Sequence, residues 1–176
     1  MNRNAFDHAI RAAGGVLGVT DVLVIGSQAL HASVSGRLPP EAQRSVEVDI
    51  AALDDDPHGA LADLIDGSIG EASMFHETFG YYAQGVVSST AVLPSGWRNR
   101  LLRYSTQGTG GVTAWCLEVH DLWISKAIAG RPKDLEFCAA LVRRGLVKAR
   151  VLRDRLRKVV ELDERVRSAA VARIPK

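Results

Sequence analysis

The stretch VLVIGSQALHA (residues 22–32) begins with a short apolar run that ends at Gly26–Ser27. A run of valine, leucine and isoleucine predicts a buried strand, and the residues from Ser27 to Val34 predict the beginning of a helix. Gly26–Ser27 is therefore expected at a turn from a strand to a helix. A second run, RSVEVDIAAL (44–53), follows after a loop and carries two acidic residues.

The second run predicts a strand whose two acids lie on one face. Successive side chains of a strand point to opposite faces, so Glu47 and Asp49 share one face and Val48 lies on the other. Two half-buried carboxylates this close repel one another unless a cation lies between them. Mg²⁺ binds carboxylate oxygens together with substrate phosphates, and Mn²⁺ is an alternative ion. Glu47 and Asp49 are therefore predicted to be catalytic metal ligands; the simpler alternative is an edge strand with one solvated face.

Gly26 and Ser27 are predicted to bind a nucleotide. Backbone N–H groups at the beginning of a helix and a serine hydroxyl can donate to phosphate oxygens, and a glycine lets a ligand approach the backbone closely. Beside a metal-binding strand, such a turn predicts a triphosphate site for phosphoryl or nucleotidyl transfer. Taken alone, the same two residues would indicate only a plain turn.

A third charged cluster lies in SKAIAGRPKDLEF (125–137). Lys126, Arg131 and Lys133 fall within eight residues and are followed by Asp134. The three cations are predicted to bind the triphosphate, and Lys126 would also neutralise charge in the transition state. Asp134 is predicted to be catalytic, either accepting a proton from the attacking hydroxyl or orienting a cation. The alternative is a junction between two helices with surface charges, where an aspartate would also serve as a cap.

The composition is that of an ordinary soluble globular protein. Of the 176 residues, 47% are hydrophobic and 24% are charged, which is enough for one domain with a core, or for a core domain with a helical appendage. We expect a cytoplasmic protein without a membrane partner, since no apolar run is long enough to span a bilayer. Cys116 and Cys138 are expected to be reduced core residues. The scattered histidines offer no zinc-site spacing.

The net charge of +2 conceals an asymmetry along the chain. Residues 1–130 contain eight basic and 14 acidic residues, whereas residues 131–176 contain 14 basic and six acidic ones. This basic C-terminal segment is expected to face an anion, either a nucleic acid backbone or the acidic body of the protein itself. A solvated basic helix face would explain the charges equally well.

The remaining patterns predict an α/β (α+β) fold, with a small mixed sheet flanked by helices and a helical C-terminal portion. A helix is predicted over residues 2–13, ending at Gly14–Gly15, and a turn with a short helix over 54–70 that begins near Pro57. Further strands are predicted within 79–94 and within 100–118, the latter forming a hairpin around Gly108, Gly110 and Gly111. Helices follow from His120 onwards, and the last is a long charged helix over 147–169 with a buried apolar stripe. The domain prediction is a core over 1–118 and a helical portion over 119–176 that completes the active site.

The motifs IGSQALHA, VEVDI and HDLWISKAIAGRPKDLEF resemble those of the minimal nucleotidyltransferases of the AbiEii-like superfamily, which include mycobacterial toxins of toxin–antitoxin pairs. The resemblance covers roughly residues 20–145. It implies a polymerase-beta-like nucleotidyltransferase fold that uses Mg²⁺ and a nucleoside triphosphate. In the toxins the acceptor is the 3′ end of tRNA, and the added nucleotides block aminoacylation and hence translation.

Carried over by position, the resemblance implies that Ser27 holds the triphosphate, Lys126 contacts phosphate and Asp134 is the last catalytic acid. Glu47 and Asp49 would hold the metal, although an aspartate is more usual at the first of these positions. The gap between Ser27 and Glu47 is longer than in compact members, so residues 35–44 are expected to form a lid or an insertion. Glu118 is a candidate third strand carboxylate, with a salt-bridging surface glutamate as the alternative.

Three alternatives to transfer onto tRNA stay open. The acceptor could be a protein hydroxyl or a small molecule, or the chain could be a non-catalytic antitoxin or binding module with the same fold. A cognate antitoxin is an expected partner, and a kinase that phosphorylates Ser27 would block the triphosphate site. The adjacent Tyr81 and Tyr82, near His76, could stack on a base, but an aromatic pair in a strand is more typical of a core.

Overall fold

The computed structural model describes residues 1–53 and 58–175, and within them a five-stranded mixed sheet forms the centre of the fold. In chain order the strands are β1 (Asp21–Val24), β2 (Glu47–Ala52), β3 (Tyr82–Gly85), β4 (Leu102–Tyr104) and β5 (Thr113–Cys116). Their order across the sheet is β3-β2-β1-β5-β4. Strand β1 is antiparallel to β2 and parallel to β5, β2 is parallel to β3, and β4 is antiparallel to β5.

The described helices surround this sheet. They are α1 (Arg3–Leu17), α2 (Pro40–Gln43), α3 (Ala60–Ile69), α4 (Met74–Phe79), α5 (Val119–Ala129), α6 (Pro132–Arg143), α7 (Ala149–Arg157) and α8 (Glu164–Ala172). The predicted fold class, a mixed sheet flanked by helices with a helical C-terminal portion, is thereby confirmed. None of these helices has both the length and the apolar character that crossing a membrane requires.

The core lies where the sheet meets these helices. Val22, Leu23 and Val24 of the central strand β1 are fully buried, as the apolar run predicts. Cys116 and Cys138 are both free and buried, which confirms the prediction of reduced core cysteines. Burial raises the pKa of both thiols, so they remain protonated at neutral pH.

Some predicted element boundaries were wrong in the first half of the chain. Helix α1 continues past Gly14–Gly15 and ends at Gly18, whose φ of 67° closes the helix in the left-handed conformation. The segment after the first strand is a 3₁₀ helix (Ser27–Ala32) rather than an α-helix. Within the predicted strand region 79–94, only Tyr82–Gly85 is a strand. The hairpin around the glycines at 108–111 is confirmed, since β4 and β5 pair on either side of it.

The predicted helix within 54–70 is confirmed as α3, whereas the expected first turn at Pro57 lies outside the described residues. The predicted long helix over 147–169 is two helices, α7 and α8. The chain leaves the helical conformation after Arg157, and Asp163 caps the next helix by accepting from the N–H groups of Arg165 and Val166. Aspartate is a favoured residue at the N-cap of a helix, so a new helix begins after Asp163 instead of α7 continuing.

The C-terminal helices pack against the sheet portion close to the strand-to-helix turn. Helix α5 contacts the 3₁₀ segment Ser27–Ala32, helix α6 contacts α2, and α7 and α8 contact α5. The division of the chain at residue 118 stays a prediction, but Lys133 of α6 lies 3.8 Å from Glu47 of β2, so the helical portion does reach the predicted acids.

Candidate active site

The carboxylate of Asp49 lies directly against Gly26. A Cβ atom built on Gly26 would lie 1.5 Å from Asp49 Oδ2, so any other residue at position 26 would displace the carboxylate. The backbone of Gly26 (φ −92°, ψ −170°) is extended and open to any residue. Glycine is therefore required at this position by the approach of Asp49. The space beside Gly26, which was predicted to admit the nucleotide, is occupied by the carboxylate of Asp49, the predicted metal ligand.

Glu47 and Asp49 lie on the same face of β2, as predicted. Both are partly buried, whereas the intervening Val48 and the following Ile50 are fully buried on the opposite face. Burial raises the pKa of Asp49; the nearby Lys126 opposes this rise and Glu47 adds to it. A carboxylate that is both desolvated and close to a second carboxylate favours a neighbouring cation.

Each carboxylate oxygen of Glu47 contacts a different side chain. The hydroxyl of Tyr82 donates a hydrogen bond to Oε2 over 3.1 Å. The ammonium group of Lys133 lies 3.8 Å from Oε1. Lys133 is therefore already within reach of the acidic face, although its own side chain is 66% exposed.

Lys126 and Asp134 meet because the chain reverses between two helices. Helix α5 ends at Gly130, which adopts a φ of 67°, and α6 begins at Pro132. Lys126 Nζ lies 3.4 Å from Asp134 Oδ1, and Arg131 Nε donates to Asp134 Oδ2 over 2.7 Å. Asp134 is only 2% exposed, and it is not the helix cap, because that position belongs to Arg131.

These side chains line one cleft of about 310 Å³. Its lining residues are Ser27, Glu41, Arg44, Ser45, Val46, Glu47, Lys126, Lys133, Asp134, Glu136 and Phe137. Five of the predicted site residues are therefore brought together, with Asp49 beside them against Gly26. Arg131 does not line the cleft and reaches it through its contact with Asp134.

One wall of the cleft was not anticipated from the sequence. The segment expected to be a lid or an insertion contains α2, and its Leu38 and Ala42 are buried in the core. Glu41 accepts from Arg143 over 2.6 Å and Arg44 lies 3.8 Å from Glu136, so two ion pairs connect this segment to α6. The prolines and the glycine of the segment favoured a loop, which concealed the short helix.

Glu118, the candidate third strand carboxylate, lies after β5 and caps the N-terminus of α5. Its side chain accepts from the backbone N–H of His120 as the cap of α5 and contacts the His120 ring at 2.6 Å. Arg155 lies 3.9 Å away. Throughout residues 1–53 and 58–175, no group of three or more histidine, cysteine or acidic side chains is arranged to hold a metal ion.

The short 3₁₀ helix at Ser27 changes the basis of the predicted phosphate site. A six-residue 3₁₀ segment carries fewer aligned peptide dipoles than the α-helix that the sequence indicated. Electrostatic attraction of a phosphate at this turn would therefore depend mainly on Lys126 and Lys133, which line the same cleft as Ser27.

Comparison with known proteins gives one result that bears on this cleft. No curated protein and no solved structure matched the chain significantly. A family model, described as a nucleotidyltransferase of unknown function, matches residues 6–171. This match agrees with the nucleotidyltransferase class that the sequence motifs implied. Because it extends over nearly the whole chain, the protein belongs to that family of nucleotidyltransferases, DUF6036.

Proposed function

We propose that this protein is a Mg²⁺-dependent nucleotidyltransferase that transfers a nucleoside monophosphate from a nucleoside triphosphate to the 3′ end of an RNA. The observation that carries the proposal is the contact between Asp49 and Gly26, which joins the acidic face of β2 to the turn bearing Ser27. Glu47, Lys126 and Asp134 line the adjacent cleft. Acids, phosphate-binding cations and a serine turn thus converge within one cleft.

The acidic pair fits a hard divalent cation. Glu47 and Asp49 present carboxylate oxygens on one strand face, and burial already raises the pKa of Asp49. Mg²⁺ and Mn²⁺ are commonly held by one or two carboxylates and completed by substrate phosphates and water, so a third protein carboxylate is not required. When bound, the ion would neutralise phosphate charge and orient the reacting phosphate.

The side chains of the protein would then bind and orient the triphosphate. Lys126 and Lys133 supply positive charge, and Ser27, which lines the same cleft, supplies a hydroxyl. Lys133 would exchange its distant contact with Glu47 for a phosphate oxygen. In the reaction, the 3′-hydroxyl oxygen of the acceptor bonds to the α-phosphorus, the bond from the α-phosphorus to the pyrophosphate oxygen breaks, and pyrophosphate leaves. The hydroxyl proton passes to solvent water.

Asp134 is the proposed last acid of the site. Its two oxygens are each in contact with a cation, Lys126 on one side and Arg131 on the other. This arrangement supports an orienting role, in which Asp134 holds Lys126 towards the phosphates, over the role of proton acceptor. Arg131 would contribute positive charge from behind Asp134.

The proposed acceptor is tRNA, and the proposed consequence is inhibition of translation in the cytoplasm by a toxin with a cognate antitoxin. Support comes from the sequence resemblance and from exposed cations in the basic C-terminal segment, which include Arg144, Lys148 and Arg150. Ser27 lines the cleft, so a kinase acting as antitoxin could silence the enzyme by placing a phosphate at the triphosphate site.

The test incubates the purified protein with total tRNA, Mg²⁺ and each labelled nucleoside triphosphate in turn. Label should enter RNA from at least one nucleotide, and Asp49→Asn should abolish incorporation. Asp63→Asn makes the same chemical change at an exposed position in the first turn of α3 and should leave incorporation unchanged. Label that enters protein or a small molecule would refute the RNA acceptor; label that enters none of them would refute the transferase activity.

A further inference from the structure

We infer that Tyr82 is a positioning residue that holds the carboxylate of Glu47 in one orientation at the edge of the cleft. The inference rests on the proposed function, since it concerns the acid that would bind the metal.

The contact between Tyr82 and Glu47 follows from the register of two strands. Strands β2 and β3 are parallel, and Glu47 lies directly opposite Tyr82 in their pairing. Paired residues place their side chains on the same face of a sheet, so the tyrosine ring runs alongside the glutamate. The Tyr82 hydroxyl then reaches Oε2 at 3.1 Å.

A glutamate needs such a partner more than an aspartate does. Its extra methylene adds one rotatable bond, and ordering that bond has an entropic cost each time the carboxylate binds a ligand. The side chain of Glu47 is 28% exposed, so packing alone does not fix its conformation. A hydrogen bond from a rigid donor restricts the carboxylate before the ligand arrives.

Tyr82 is a rigid donor, whereas Lys133 is an exchangeable one. Tyr82 is 8% exposed, and its ring contacts the ring of His76 with a centroid separation of 4.7 Å. His76 is fixed in turn by a hydrogen bond from the backbone N–H of Ala72 to its Nδ1 at 3.1 Å. Lys133 is a long, exposed side chain at 3.8 Å, and such surface pairs contribute little. Tyr82 therefore occupies Oε2, and Oε1, which contacts the exchangeable Lys133, is the oxygen that a cation would take.

The adjacent tyrosine provides a matched control. The Tyr81 hydroxyl is hydrogen-bonded to His8 Nδ1 at 2.7 Å, and its ring lies against Phe75 and Phe79. Tyr81 thus belongs to an aromatic cluster and makes no contact with Glu47 among its described interactions. Replacing either tyrosine by phenylalanine removes one hydroxyl and keeps the ring.

The first experiment measures Mn²⁺ binding by electron paramagnetic resonance of the free ion, with and without a non-hydrolysable ATP analogue. Tyr82→Phe should weaken Mn²⁺ binding by about tenfold, the usual effect of removing a partner that orients a metal ligand. Tyr81→Phe should change it by less than about twofold. Thermal unfolding of each variant checks that the fold is retained.

The second experiment is a double-mutant cycle with Glu47→Asp. The shorter acid cannot reach the Tyr82 hydroxyl, so Tyr82→Phe should have no further effect on Mn²⁺ affinity in that background. A tyrosine with a purely structural role would weaken binding equally in both backgrounds, which would overturn the inference.

The two proposals fail in different ways. If wild-type protein binds Mn²⁺ and Tyr82→Phe binds it equally well, the inference about Tyr82 is wrong and the proposed function stands. If wild-type protein binds neither Mn²⁺ nor the nucleotide analogue, the proposed function is wrong, and the role of Tyr82 is refuted with it.

Discussion

A buried aspartate in contact with two cations lies near each end of helix α5, and the two clusters are built alike. At its N-terminal end, Asp121 contacts Arg100 at 2.7 Å and Arg155 at 3.4 Å. At its C-terminal end, Asp134 of α6 contacts Arg131 at 2.7 Å and Lys126 at 3.4 Å. Asp121 is 0% exposed and Asp134 is 2% exposed. Distances and burial do not distinguish them.

The surroundings distinguish the two clusters. Around Asp121, the cations come from the 3₁₀ segment Trp97–Arg100 and from α7, so the cluster connects three segments of the chain. Around Asp134, the cluster opens onto the cleft that Glu47 also lines. A buried acid with two cations is therefore not in itself a catalytic site. What sets the second cluster apart is its position beside the strand acids and the cleft, and the proposed function depends on that position.

Among the changes that test the two clusters, the largest effect on the transfer rate is expected from Lys126→Met at the cleft end of α5. Removing a charge that would stabilise the transition state should lower the rate of nucleotide transfer by about 10²–10³-fold. The free energy of unfolding should change by less than about 1 kcal/mol, because Arg131 still contacts Asp134. Steady-state transfer assays and urea unfolding measure the two quantities. A loss of stability without a loss of rate would make this cluster structural, like the other one.

The matched change at the opposite end is Arg155→Met, whose side chain is 17% exposed, the same fraction as Lys126. Arg155 contacts both Asp121 and Glu118, so its removal should lower the free energy of unfolding by about 2 kcal/mol. The rate of transfer by the folded protein should stay within about twofold of wild type. A rate loss comparable with that of Lys126→Met would show that the two ends of α5 are not separate in function.

The pH dependence of stability should identify the Asp121 cluster. Burial raises the pKa of Asp121 to about 6, although the hydrogen bond and charge of Arg100 oppose the rise. Between pH about 4 and about 6 the folded state then binds more protons than the unfolded state, so the free energy of unfolding falls as pH rises. This contribution is about 3 kcal/mol. It should disappear in Asp121→Asn, measured by urea unfolding from pH 4 to 7; an unchanged slope would contradict the assignment.

Much of the fold and the site could be predicted because the decisive signals are local. The alternation in VEVDI places both acids on one face of a single strand. The apolar run before Gly26 indicates a buried strand. The cations of α5 and α6 lie within eight residues of one another, so one turn brings them together. Each of these signals lies within a short stretch of the chain.

What could not be predicted depends on contacts between distant segments. The partnership of Tyr82 with Glu47 requires the register of two strands that are 35 residues apart in the chain. The role of Gly26 depends on the rotamer of Asp49, and the wall formed by α2 depends on its ion pairs with α6. The residue types at these positions would be compatible with several different partners. The partner of each residue is known only from the packed structure.

The smallest expected effect comes from Lys133→Met, which removes an exposed cation of the cleft. Its contact with Glu47 is long and solvated, so the free energy of unfolding should change by less than about 0.5 kcal/mol. The apparent KM for the nucleotide should rise by about three- to tenfold, because Lys133 would attract phosphate in the ground state and the transition state alike. The rise should shrink at high salt, which screens an exposed charge far more than a buried one. Initial rates at low and high salt measure this; an effect confined to kcat would instead place Lys133 beside Lys126 at the reacting phosphate.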